Sequence, residues 1–245
     1  MTTVLHPRLS AASGALFIVF FNVALFDLGA PPKASDTAGK IASLLIHGRG
    51  RILHGMYLAG LAVMLGIWFF ATVRTWLEQA VDSHDMQLAG AAFGGGLFAM
   101  GLGVLGMLLY YGVAYEVAGQ SGAALPVVRA LTDAGNASIE LTKFPLAVFI
   151  LCVSLAACQA KLLPRWFTRA GAVSAIVLLA SAIPLFAEGS FTQFGGGLDV
   201  IGGIPGVIWI FILSLMMISR HQREHPQTTL VVSARQAVGT DRLGS

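Results

Sequence analysis

HGRGRILHGMYLAGLAVMLGIWFF, residues 47–70, decides the fold. Two arginines and two histidines crowd its head, and from Ile52 to Val73 no Lys, Arg, Asp or Glu appears. A helix needs about 20 mostly apolar residues to cross a hydrocarbon core roughly 30 Å thick, so the stretch reads as a membrane span with a polar head. His47, Arg51, His54 and Leu58 follow i, i+4, i+7, i+11, which puts both histidines and one arginine on a single helix face.

Composition extends that reading to the whole chain. Of 245 residues, 56% are hydrophobic and 11% charged, against about 25% charged in soluble domains, and mean hydropathy is +0.77. An integral plasma-membrane protein is expected. The formal charge is only +3 and the basic residues are dispersed, so nucleic acid is not expected as a partner. Cys152 and Cys158 are six residues apart in one apolar run, on roughly opposite helix faces, so they neither pair nor form a metal site. The N-terminal run has a short basic start but no small-residue cleavage site after Asp27, and reads as a retained first span.

Six segments qualify or nearly qualify as spans: Ser13–Ala30, Ile52–Val73, Met86–Tyr115, Phe144–Ala160, Ala170–Ala187 and Leu198–Ser219. Pro31 and Pro32 close the first, Pro145 sits in the first turn of the fourth, and Pro164 separates the fourth from the fifth. Pro184 and Pro205 predict kinks in the last two. Ser35–Ile46 and Pro126–Lys143 carry helical apolar spacing with more polarity, and are expected as short helices lying on the outer membrane surface. The fold expected is an all-α polytopic bundle of six transmembrane helices with one or two such surface helices. Residues 1–219 form that domain and 220–245 a mobile cytoplasmic tail.

An even number of spans puts both termini on one side. Lys161, Arg165 and Arg169 in the connection between spans four and five, with Arg220 and Arg223, make that side cytoplasmic by the positive-inside rule. Lys33, Lys40, Arg49 and Arg51 then fall outside, against the same rule.

Under this parity the polar residues gather at the outer ends. Asp27, His47, Arg51, His54, Tyr57, Tyr115, Glu116, Glu140, Lys143, Glu188 and Asp199 all fall there. Ionisable groups at the edge of hydrocarbon are costly and tend to face a bundle interior. One polar pocket in the outer half of the bundle is therefore expected, with Asp27, Glu116, Glu188 and Asp199 as candidate acids for proton transfer. The competing reading has the same acids in interfacial water and the bases snorkelling to headgroups. No cofactor is expected: histidines on facing helices, as a buried haem needs, are missing. GLGVLG, residues 101–106, follows no strand and lies mid-span. With Gly90, Gly94, Gly95 and Gly96 it reads as a face for close helix packing, within the chain or with another subunit. The start of the sixth span, rich in glycine at Gly195–Gly197 and Gly202–Gly206, reads as irregular. The tripeptide Asn136–Ser138 is formally a glycosylation sequon.

The stretches RGRILHGMYLAGL (49–61), KFPLAVFILCVSLA (143–156), LLPRWFTRAGAVSAIVLL (162–179) and GGIPGVIWIFILSLMMI (202–218) resemble a family of bacterial, mainly actinobacterial, six-span integral membrane proteins of unknown function. The resemblance covers Ser13 to Ser219 and rests on Arg51 at the head of span two and on the turn Leu163–Trp166. It implies a six-helix bundle in the plasma membrane and no catalytic residues.

Two classes of function follow. The first is a membrane component that binds a lipid, a hydrophobic small molecule or a partner subunit. The second is a membrane-embedded enzyme doing acid/base chemistry on a lipid-soluble substrate such as an isoprenoid, as a cyclase or isomerase. A transporter component ranks third, since no internal repeat supports one.

Overall fold

The structure is a computed structural model that describes residues 7–29, 32, 36–80, 86–117, 124–182 and 197–224. Among these the chain is helical, without a strand. Its elements are α1 (Pro7–Leu28), α2 (Ala38–His47), α3 (Arg49–Glu78), α4 (Met86–Gly112, continued by a π-helical turn Val113–Val117), α5 (Leu125–Leu141), α6 (Lys143–Gln159), α7 (Arg165–Ala180) and α8 (Gly197–Glu224). The end of the bundle that carries Leu28, Arg49 and Gly112 is called upper below.

Four stretches are long and apolar enough to cross a membrane: Arg49–Glu78, Met86–Tyr115, Leu125–Gln159 and Ile201–Ser219. Ala12–Leu28 is apolar but shorter. Among the described residues, length and composition thus fit a crossing for four of the six expected spans. The described part of α7 has 16 residues, about 24 Å at 1.5 Å per residue, which falls short of a 30 Å core. Pro184 and the expected kink there lie outside the described residues, as does the chain after Glu224. Pro205 sits within α8, which runs five residues past the expected domain boundary at 219.

The charged segment before α6 departs from expectation. Instead of lying across the bundle as a surface helix, α5 packs along the upper half of α4. It leads through Thr142 alone into α6, and the two make one 35-residue helical stretch, part of which is apolar enough to cross a membrane. Backbone approach explains the packing: a Cβ on Gly106 would sit 2.8 Å from the Gly135 carbonyl, and one on Gly95 2.7 Å from the Pro145 carbonyl. Only glycine permits such contact between helices. Gly90, Gly94 and Gly101 face open space instead, so only part of the expected glycine face serves packing within the chain.

The other expected surface helix, α2, begins at Thr37, whose hydroxyl accepts from the Lys40 amide at 3.3 Å. It buries Ile41, Ala42 and Leu45 against Tyr110, Val113, Ala114 and Val128, closing the upper end like a cap. Below it the core is aromatic. Phe17, Phe69, Phe70 and Phe149 meet edge-on or tilted, and Phe167 stacks on Trp209 at 5.1 Å. The Trp209 indole donates to the Phe167 carbonyl at 3.1 Å, so its N–H is not stranded in the core.

Candidate functional site

Buried charge concentrates where α5 ends. Glu140 and Lys143 are three residues apart across Thr142, a spacing that places both on one face. Lys143 Nζ donates to Glu140 Oε2 at 2.6 Å and to the Ser181 carbonyl at 2.8 Å, with the Glu140 side chain fully buried and that of Lys143 only 7% exposed. Ser181 follows the last residue of α7, whose terminal carbonyls lack helical partners. The ammonium therefore satisfies a helix C-terminus as well as a carboxylate, with the sign the helix dipole favours. Above the pair, Thr132 and Asn136 continue the same face at four-residue steps and are buried too. The Tyr110 hydroxyl donates to Asn136 Oδ1. Asn136 is only 6% exposed, which removes it as a glycosylation acceptor.

Beside Lys143 lies a cavity of about 160 Å³, walled by side chains of seven helices. Phe17, Phe70, Gly96, Met100, Leu146 and Ile210 make its lower part apolar, and Asn22, Thr142 and Lys143 bring polarity to the upper part. The level follows from Gly103, whose Cβ position touches both the Phe21 ring and the Thr142 methyl. Asn22 Nδ2 donates to the Ile18 carbonyl at 2.8 Å, and the Thr142 hydroxyl to the Ile139 carbonyl at 2.6 Å. Asn22 thereby keeps its second N–H and its carbonyl oxygen, and Thr142 its oxygen lone pairs.

A second group of polar residues sits at the upper rim. His54 Nδ1 donates to Asp27 Oδ2 at 2.6 Å, joining α3 to α1, with His54 60% exposed and Asp27 16%. Gly55 makes the pairing possible: its Cβ position is 3.0 Å from the Ala24 carbonyl and 3.1 Å from Asp27 Cβ. The Arg49 guanidinium lies 4.6 Å over the Tyr115 ring, which stacks on Tyr111. His47 hydrogen-bonds the Ser43 carbonyl at 2.7 Å within α2. His47, Arg51, Tyr57 and Tyr115 are exposed.

Among the described residues, the polar groups expected to share one pocket fall into two clusters. Asp27 and His54 meet at the rim, and Glu140 and Lys143 meet at the cavity level, six residues of α1 or about 9 Å lower. The shared face expected of His47, Arg51 and His54 needs one continuous helix, but His47 ends α2 and α3 begins at Arg49 beyond Gly48. All three are exposed, and His54 alone reaches back to Asp27 of α1. Glu188 and the side chains of Glu116 and Asp199 lie outside the described residues. Sequence reasoning missed Asn22 and Thr142, single polar residues in apolar surroundings that carry no motif. Asn136 was noticed only as a sequon, although its spacing with Thr132 and Glu140 marks a buried polar face.

Compared with known families, curated proteins and solved structures, the chain matches none.

Proposed function

We propose that this is a membrane-embedded binding protein that holds a hydrophobic small molecule or lipid group in the cavity beside Lys143. The observation that carries the reading is the cavity itself: close packing is the rule inside proteins, and here side chains of seven helices leave about 160 Å³ open next to a buried ion pair. Ionisable groups at membrane depth mark functional positions. The reading takes α1, α3, α4, α5–α6, α7 and α8 as six spans in the plasma membrane with both termini cytoplasmic. It takes the Glu140–Lys143 pair, about 9 Å below the Asp27–His54 rim, to lie within hydrocarbon depth. The acid/base enzyme is less favoured because Asp27 is engaged with an exposed histidine at the rim and is not part of the cavity wall.

Ala99 lines the cavity and faces it with a methyl group. Mass spectrometry of gently extracted protein should find a copurified hydrophobic molecule in the wild type and not in Ala99→Phe, whose ring fills the space. Equal recovery from the two proteins, with both folded, or no molecule in either, rejects the reading.

A further inference from the structure

We infer that the group seated at the top of this cavity is a neutral six-membered ring bearing a carbonyl or hydroxyl oxygen, rather than an acid headgroup or a plain hydrocarbon. The inference rests on the cavity reading above and adds the chemistry of its occupant.

Size comes first. An apolar cavity of roughly 150 Å³ holds benzene, so a half-open space of about 160 Å³ seats one ring, with the rest of any larger molecule outside it. Any longer tail must leave between the helices. Distribution of polarity comes next. Phe17, Phe70, Met100 and Ile210 surround the lower part with carbon and sulfur, whereas Asn22 of α1 and Thr142, between α5 and α6, bring polar groups to the upper part beside Leu25 and Ile139. Asn22 brings an amide N–H and a carbonyl oxygen beyond its bond to Ile18, and Thr142 an acceptor oxygen beyond its bond to Ile139. A ring oxygen between them can accept from the amide, and a ring hydroxyl can also donate to the threonine.

Charge decides against an acid. Lys143 is the cation in the wall, but Glu140 already stands 2.6 Å from its ammonium, so the pair presents no net positive charge to a second carboxylate. Bringing one in would place two carboxylates around one ammonium in a medium that screens them poorly. A neutral oxygen meets no such penalty and still lies in the field of the pair.

The test uses the full-length chain in detergent and three matched probes: cyclohexanone, cyclohexane and cyclohexanecarboxylate. Saturation-transfer NMR is read against Ala99→Phe, which subtracts partition into the micelle. Cyclohexanone should bind about fivefold more tightly than cyclohexane, the worth of one net hydrogen bond, and that preference should vanish in the doubly substituted Asn22→Leu, Thr142→Val protein. Neither change strands a partner: the Ile139 carbonyl keeps the Thr142 amide at 3.2 Å. Equal binding of ketone and hydrocarbon overturns the inference while leaving the cavity reading intact. Preference for the carboxylate overturns it in favour of an anion site. No cavity-dependent binding of any probe overturns both.

Discussion

Neutralising Glu140 without changing its shape isolates the worth of the buried pair. In Glu140→Gln the Lys143 ammonium keeps the Ser181 carbonyl but loses the Glu140 carboxylate in a buried setting. Removing one partner of such a pair costs roughly 3–5 kcal/mol, while replacing both by apolar groups of similar volume is often neutral. Thermal unfolding in detergent should therefore show a large loss for Glu140→Gln and recovery of most of it in the doubly substituted Glu140→Leu, Lys143→Met protein. Arg51→Ala, at an exposed site, should stay within about 0.5 kcal/mol of the wild type; an unaffected Glu140→Gln would show that the pair does not hold the α5–α6 corner. Glu140 and Lys143 are visible in the sequence as charges beside an apolar run. Their burial is not visible, because it depends on α7 ending where Lys143 Nζ can reach it.

Two elements end or pack through single residues whose replacement gives opposite signs. α6 closes with the Leu162 amide on the Ala157 carbonyl at 2.9 Å and the Lys161 amide on the Cys158 carbonyl at 3.2 Å, with Lys161 at φ 52° in the left-handed region. That position is usually glycine, and a side chain there costs roughly 1–2 kcal/mol. Lys161→Gly should raise the unfolding temperature by the equivalent of about 1 kcal/mol, and a fall would mean the lysine side chain contributes more than its backbone costs. Gly171 on α7 is the reverse case. Its Cβ position collides with Ser154 Oγ and lies 2.8 Å from the Trp209 indole, so Gly171→Ala should destabilise by roughly 1–3 kcal/mol through overpacking. Gly90→Ala, facing open space, should stabilise by up to about 1 kcal/mol through helix propensity. If the two alanine variants unfold alike, the α6–α7–α8 contact is not as close as described. Sequence spacing made Gly90 and Gly94 a packing motif, but spacing fixes only that they share a face. Which face meets a neighbour is set by the Gly106–Gly135 and Gly95–Pro145 contacts, and these depend on where α5 and α6 lie.

At the scale of the molecule the all-helical class was legible because apolar runs near 20 residues admit few other folds in a membrane. The role of α5 was not. Arg129, Asp133 and Glu140 gave it the look of a surface helix, yet Arg129 reaches the Asp36 carbonyl at 2.7 Å beneath the α2 cap and pairs with Asp133, while Glu140 turns inward to Lys143. With α5 and α6 counted as one passage, the proposed total stays at six and the two chain ends share a side. The basic connection Lys161–Arg169 lies at the lower end, to which the N-terminal start of α1 also belongs, because α1 rises from Pro7 to Leu28 at the upper end. Cysteines placed singly at Ser10, Arg165 and Ser233, in a background with Cys152→Ser and Cys158→Ala, should all be protected from a membrane-impermeant maleimide in intact cells and labelled in inverted vesicles. A cysteine at Lys40, in the cap over the upper end, should show the opposite pattern. Labelling Ser233 from outside while Ser10 stays protected would mean an odd number of crossings. In that case α7, the shortest of the proposed spans, would be the first to be removed from the count. Labelling of all three lower-end positions from outside, with Lys40 protected, would keep the bundle and invert it. The rule that places Lys161, Arg165 and Arg169 inside would then have lost to Lys33, Lys40, Arg49 and Arg51 at the opposite end.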